Sequence, residues 1–598
     1  MHLKMLSNTG IFLIFSGLTL FTASLGTGDF TLREKSLQES MNNDYHYEKV
    51  APFLNSMRGK SYPNSFAFNR DLNIALKKGQ KAVEHDLKEN RGLNTSDGEY
   101  WSLILQDYAL KSVKLPVTRA SAGGMLSRQA EAVWYLVLLL VFTGSFLYYY
   151  PKWKRQPGID NNEVQRSSLQ NRGLPGILLG TYLIAFYVLL YFYPEHLVNW
   201  IILADPLSYR LSGNPASQWF LYGLLYTLAV GIMGIRMLLK YRYNRYQIWR
   251  TGSVMFFQTC FAFLLPQLLS ALNLPAPDLK NIWPLDYTFF FDYRIDEMIQ
   301  SGTFGFFLLL WGIALILVGV PLFTYLFGKR WYCSWVCGCG GLAETMGDPF
   351  RHLSDKSTRA WKVERWVIHL VLVFAVLMTN SVLYAYLPDQ GPGLTGKIFF
   401  VLSSLFLLIA LAGVWFYNQK IREAIPQQVL IIASITVILL IATGAWHTFR
   451  GTSYLYFVDH YRLRSWYGFY IGAVFAGVIG TGFYPLMGNR VWCRFGCPLA
   501  AYLGLVQRLQ SRFRITTNGG QCISCGNCST YCEMGIDVRW YAQRGQDIVR
   551  SSCVGCGICS AVCPRGVLKL ENGSPDINER ASSLRAIHIS ESEVRLMD

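Results

Sequence analysis

The sequence predicts a mainly α-helical, polytopic membrane protein that ends in a small α+β domain rich in cysteine. Three observations carry this. Of the 598 residues 52% are apolar and only 16% charged, whereas about a quarter are charged in an ordinary soluble domain. Apolar runs of about 20 residues, the length that crosses a bilayer, recur along most of the chain. The third observation is that 42 residues near the C-terminus, 522–563, hold eight of the 14 cysteines. The net charge of +17 does not point to nucleic acid, because the basic residues lie in short loops between apolar runs, where membrane topology accounts for them.

From the N-terminus, residues 1–26 contain an apolar run after Lys4 that reads as a signal peptide or as a first transmembrane helix. Either reading makes 27–132 an extracytoplasmic domain. It is polar and free of cysteine, with amphipathic stretches at 72–83 and 100–110 and no catalytic pattern. Residues 133–511 read as a transmembrane helical domain, with spans near 133–150, 173–193, 218–240, 252–272, 303–327, 363–388, 396–417, 426–446 and 467–487. Alternating sides puts 151–172, 236–250, 328–365 and 418–425 in the cytoplasm with 19 Lys and Arg. The opposite loops, 194–217, 273–302, 389–397 and 446–466, carry 7. The sign is that of the positive-inside rule. The chain therefore reads as a multi-pass protein of a bacterial inner membrane, lipid-embedded, with its C-terminal part in the cytoplasm. The predicted spans hold almost no Asp or Glu near their centres, which argues against an ion pump.

Residues 512–570 carry the strongest motif: Cys522-x2-Cys525-x2-Cys528-x3-Cys532, then Cys553-x2-Cys556-x2-Cys559-x3-Cys563-Pro564. This is the spacing of a two-cluster bacterial ferredoxin, in which the fourth cysteine of each run ligates the other cluster. Cys522, Cys525, Cys528 and Cys563 are thus expected to hold one [4Fe–4S] cluster, and Cys553, Cys556, Cys559 and Cys532 a second. Structural zinc, which favours two Cys-x2-Cys pairs, fits these runs poorly. Glu533 follows Cys532 where proline is common. Residues 571–598 read as a tail.

Two further motifs repeat at an offset of 160 residues. One is Gly328-Lys-Arg-Trp-Tyr-Cys333-Ser-Trp-Val-Cys337-Gly338; the other is Gly488-Asn-Arg-Val-Trp-Cys493-Arg-Phe-Gly-Cys497-Pro498. Each follows an apolar helix at its cytoplasmic end. If each Cys-x3-Cys lies on a helix, both sulfurs share a face, and two such faces give four thiolates. Cys333, Cys337, Cys493 and Cys497 are expected to form one shared site for a metal or a further iron–sulfur cluster, with Cys339 a weaker candidate. Arg330 and Arg490 are expected to snorkel to the interface and offset the thiolate charge. Cys260, alone in an apolar helix, reads as core filling. His369 and His447 lie near opposite faces and do not make a haem pair. His196, Asp205 and His460 lie in external loops and are candidates for a quinol or partner site.

Over roughly 303–565 the chain resembles the NapH/NosR-type membrane polyferredoxins, in which two Cys-x3-Cys-Pro motifs after membrane helices precede a two-cluster ferredoxin domain. The first motif here ends in Gly338 rather than proline, and 27–132 lack a flavin-attachment run of the Ser/Thr-Gly-Ala-Thr type. The resemblance implies electron transfer between cytoplasmic clusters or the quinol pool and a redox partner protein in or beyond the membrane. The carrier that would cross the bilayer (flavin, quinone or haem) is left open by the sequence. Two other functions fit the same motifs: metal reduction for oxidase assembly, as in the CcoG type, and redox sensing.

Overall fold

The computed structural model describes residues 2–41, 44–89, 107–154, 172–389, 394–420, 427–450, 454–518, 521–572, 586–589 and 594–597. The first part of the predicted 100–110 helix, much of the loops 151–172 and 418–425, and most of the tail 571–598 lie outside these residues. The chain is mainly helical. Among the described residues nine helices are long and apolar enough to cross a membrane: Leu3–Gly26, Ala130–Trp153, Leu174–Phe192, Gln218–Lys240, Arg245–Ala271, Gly302–Phe327, Thr358–Tyr386, Gly396–Phe416 and Gln427–Arg450. The N-terminal run is one of them. The expected straight span at 467–487 is not. Its helix begins earlier, at His460, passes through a π-segment, Gly468–Ile479, and ends in short turns. Tyr467 and Tyr470, with glycines at 468, 472, 477, 480 and 482, dilute its apolar character.

Two compact units divide the chain. One comprises Met1–Gly158, Ala185–Tyr243 and Ala262–Ala276. Here helix His2–Ala23 packs on Ala130–Trp153 with no room for side chains at the crossing: a Cβ on Gly10 would lie 2.6 Å from the Gly144 carbonyl oxygen. Small residues let membrane helices approach in this way. The polar segment folds around helix Ser65–Glu89, whose N-terminus is capped by Asn64 accepting from the Ala67 amide at 2.9 Å. That helix contains the predicted 72–83 stretch. A three-stranded antiparallel sheet, in the order Ser61–Tyr62, Asp29–Thr31, Ala122–Gly123, closes against Phe30, Phe68, Leu72 and Val117, all fully buried.

The other unit comprises Ile159–Ile184, Asn244–Phe261 and Pro277–Asp598. Apolar helices lead into the two cysteine loops and the C-terminal domain. In that domain Arg514–Thr517 pairs antiparallel with Leu568–Glu571, Arg514 opposite Glu571, and short helices Asn527–Thr530, Val538–Gln543 and Ile558–Ala561 complete the α+β fold. One buried apolar cluster runs without a break from Ile316 and Val320 through the cysteine loops to Ile515, Ile536 and Val554. The loop 273–302, read from the sequence as a connection on the face opposite the cysteine loops, behaves differently. Its first part runs back into the bundle: the Tyr332 hydroxyl donates to the Lys280 carbonyl at 2.8 Å, the Trp283 indole to Thr379 at 3.0 Å, and Phe289 lies against Gly312. Irregular backbone is tolerated at membrane depth when protein buries it.

Candidate metal centres

The two cysteine loops are near-copies in three dimensions. Each preceding helix stops at a glycine with positive φ: Gly328 at φ 69°, ψ 175°, and Gly488 at φ 92°, ψ 172°. L-residues avoid this region, so glycine sets the turn at both positions. The next residues form a single turn, closed when the Cys337 amide donates to the Tyr332 carbonyl at 2.8 Å and the Cys497 amide to the Trp492 carbonyl at 2.9 Å. The chain then straightens at Cys337 and Cys497, which cap the helices Gly338–Thr345 and Pro498–Gln510.

This corrects the expectation that each Cys-x3-Cys lies along one helix. The pair is split across a turn, one sulfur before it and one at a helix N-terminus. That placement suits a thiolate better, because helix N-termini stabilise negative charge; Cys497 Sγ already accepts from the Ala500 amide at 3.4 Å.

The turns bring Cys333, Cys337, Cys493 and Cys497 together. All four are buried in one cluster, and every pair among them interacts electrostatically. Cys339 joins the group through a hydrogen bond with Cys337. Burial pushes the Cys333 thiol up to about 12 and that of Cys497 well above the ordinary range. Burial raises Cys493 as well, whereas the hydrogen bond from Cys339 holds Cys337 down at about 6. One sulfur that ionises readily beside three that resist it without a cation, with apolar walls around them, is a donor set suited to metal or cluster binding.

The eight C-terminal cysteines divide between two cavities. Cys522, Cys525, Cys528 and Cys563 line one. Cys532, Cys553, Cys556 and Cys559 line the other. The first cavity lies at the surface side, with Cys525 exposed. The second is deep, and side chains of the helical part fix its backbone. Tyr246 donates to the Gly555 carbonyl at 2.8 Å, Gln247 to Cys556 at 2.9 Å, Ser334 to Val554 at 2.8 Å and Gln507 to Cys553 at 2.9 Å. Each cavity offers four sulfurs and little polar competition, which fits a cubane cluster.

A lattice of buried charges lies between this deep cavity and the repeated loops. Glu344 meets Arg490 and Arg351 at 2.6 Å each and also pairs with Arg250. Glu533 meets Arg351 at 2.7 Å and Arg490 at 2.9 Å, and Arg351 meets Asp348 at 2.8 Å. Burial opposes ionisation of Glu344, yet the three arginines hold it well below the usual carboxylate range. The expected snorkelling of Arg490 is therefore overturned. Its side chain is 0% exposed, because Glu344 and Glu533 neutralise it inside the protein, and it donates to Cys493 Sγ at 3.6 Å. Arg330, its counterpart in the repeat, stacks on Phe513 and reaches Asn572.

The sequence reading missed Glu344, Arg351, Arg250 and Lys280. One signal was visible, Glu533 in place of proline. Cys260 lies in the π-segment Phe257–Leu264. His369 Nδ1 is 2.5 Å from the Arg365 carbonyl oxygen, and His447 stacks edge-on with Tyr454. Asp205 is engaged by Arg119 and the Ala216 amide, His196 stacks on Phe66, and His460 lies 3.1 Å from Asp459.

Residues 309–357 and 469–516, which contain both repeated loops, match the family described as 4Fe-4S binding domain, and 521–573 match the 4Fe-4S dicluster domain. The chain is 25% identical over 225 residues to YccM of Escherichia coli (strain K12), whose name proposes an electron transport role. That alignment covers 38% of this chain and 47% of YccM, so the chain spans about half the length of the curated relative it matches. No solved structure matches. The matches and the fold together make this an iron–sulfur protein of the membrane.

Proposed function

We propose that this chain relays electrons between a cytoplasmic donor and a carrier in the membrane, through three iron–sulfur sites placed in series. The observation that carries the reading is the order of the cysteine sets. The Cys522/Cys525/Cys528/Cys563 set reaches the surface at Cys525, the Cys532/Cys553/Cys556/Cys559 set has no exposed member, and Cys333, Cys337, Cys493 and Cys497 are all buried in loops that follow apolar helices, where we place the membrane edge. When bound, the clusters supply one-electron chemistry. The chain's own residues exclude water from the two inner sites and hold them in fixed register. The electron transport role named for YccM agrees with this, and the positive-inside asymmetry supports a cytoplasmic C-terminal domain with 27–132 outside.

The re-entrant segment supports a quinone as the membrane carrier. A narrow cleft of about 40 Å³ lies between it and the helix that begins at Gly302, lined by Asp278, Trp283, Asp286, Phe289 and Trp311. Its apolar wall with a few polar anchors has the chemistry of a quinone site, and the ring would enter only as the cleft widens. Lys280, beside its lining, lies against Gly338 in the first cysteine loop.

The test is stopped-flow reduction of the anaerobically purified protein by a low-potential cytoplasmic-type donor, with and without a short-chain quinone. The reading expects cluster bleaching on reduction and reoxidation by quinone. A photoreactive quinone should label 277–316. Copper bound and reduced in place of quinone would move the assignment to assembly chemistry, and the absence of turnover with any donor would move it to sensing.

A further inference from the structure

The departure at Glu533 has a structural counterpart. In this chain the residue after Cys532 sends its carboxylate into the buried charge lattice. There the ligand atoms of Glu344, Glu533 and Cys556 lie within 4.8 Å of one another. The same two carboxylates are held by Arg490, whose other terminal nitrogen donates to Cys493 Sγ at 3.6 Å and to the Cys333 carbonyl at 3.4 Å. One guanidinium therefore touches the membrane-edge set, while its counter-ions touch the deep ferredoxin set. A second cation, Lys280 Nζ, lies against Gly338 beside Cys337, bonded to Gln258 at 3.2 Å and paired with Asp278 at 3.6 Å. Lys329 donates to the carbonyls of Ala500, in the helix that follows Cys497, and Ser551, two residues before Cys553.

We propose that this lattice sets the direction of electron flow, with Glu533 and Glu344 making the Cys532/Cys553/Cys556/Cys559 site the more reducing and Arg490 making the Cys333/Cys337/Cys493/Cys497 site the more oxidising. The inference rests on both sets holding redox centres, as proposed above. A carboxylate beside a cluster disfavours the added electron, and a cation that hydrogen-bonds to a ligand sulfur favours it; charge and hydrogen bonds to sulfur are established determinants of cluster potential. The low dielectric of a buried site strengthens both effects. The step is balanced as written: the deep site loses one electron, the membrane-edge site gains it, and the surface site resupplies the deep one. Arg250, Arg351 and Arg490 balance Glu344, Asp348 and Glu533 in charge, so no proton need accompany the transfer. Glu533 and Arg490 are positioning residues here.

The test is a redox titration of the full chain, purified anaerobically in detergent and followed by EPR, with Cys493→Ser identifying the membrane-edge signal. Wild type is expected to show that signal reduced at a higher potential than the deep ferredoxin signal. Glu533→Gln keeps the side-chain shape and removes the charge; it should raise the deep midpoint and narrow the gap. Glu533→Asp should largely restore it. A wild-type order opposite to this overturns the inference even if no variant folds. Midpoints unmoved by Glu533→Gln overturn it too. The absence of any signal sensitive to Cys493→Ser would instead refute the shared redox site and leave this inference without its premise.

Discussion

Glu344 is a buried carboxylate touching three arginines. Desolvating such ions is costly, and removing one partner leaves the others uncompensated, a loss of about 3–5 kcal/mol. Glu344→Gln is therefore expected to lower the thermal unfolding midpoint sharply. Lys35→Ala, at an exposed pair of 88% and 66% side-chain exposure, should not move it measurably. An equal effect of the two would contradict the lattice. At this scale the cysteines were legible and the lattice was not. Ligand spacing is local in the chain, so the sets could be read directly. Arg490 finds Glu344 across 146 positions, and nothing in its neighbourhood distinguishes a buried arginine from a snorkelling one. Glu533 was noticed only because it replaced an expected proline.

At the scale of elements, the spans were read well where apolar runs were long and unbroken. Reading was poorer where the backbone departs from a simple helix, as in the π-segment Gly468–Ile479 and the re-entrant 277–291. Hydropathy reports how apolar a segment is, not whether it returns to the face it left. The packing of the N-terminal helix was hidden for a similar reason: two glycines far apart in sequence meet at one crossing. Gly144→Val should force helices His2–Ala23 and Ala130–Trp153 apart and lower stability by about 1–3 kcal/mol, the usual cost of overpacking. Thermal unfolding in detergent measures it, and an unchanged midpoint would mean the helices do not pack there. The re-entrant segment gives a second check. A cysteine introduced at Leu285, which packs against the buried apolar cluster, should resist a membrane-impermeant thiol reagent from either face. Ready labelling from outside would make 273–302 the plain loop that hydropathy suggests.

For the molecule as a whole, the charge asymmetry, with the helix that opens at His460 as a further crossing, predicts that a reporter fused after Lys114 reads as extracytoplasmic and one after Leu570 as cytoplasmic. Both on one side would overturn the orientation on which a cytoplasmic donor depends. The central claim is that the repeated loops, one hundred and sixty residues apart, build a single redox centre in line with the ferredoxin clusters. Iron and acid-labile sulfide analysis with EPR, on wild type and on Cys337→Ser and Cys493→Ser made in the full chain, tests it most directly. Wild type should carry about twelve irons, four for each cubane, and each substitution should remove the same EPR signal while leaving those of the C-terminal domain. Loss of two different signals, or about eight irons in wild type with neither substitution altering the spectrum, would contradict it.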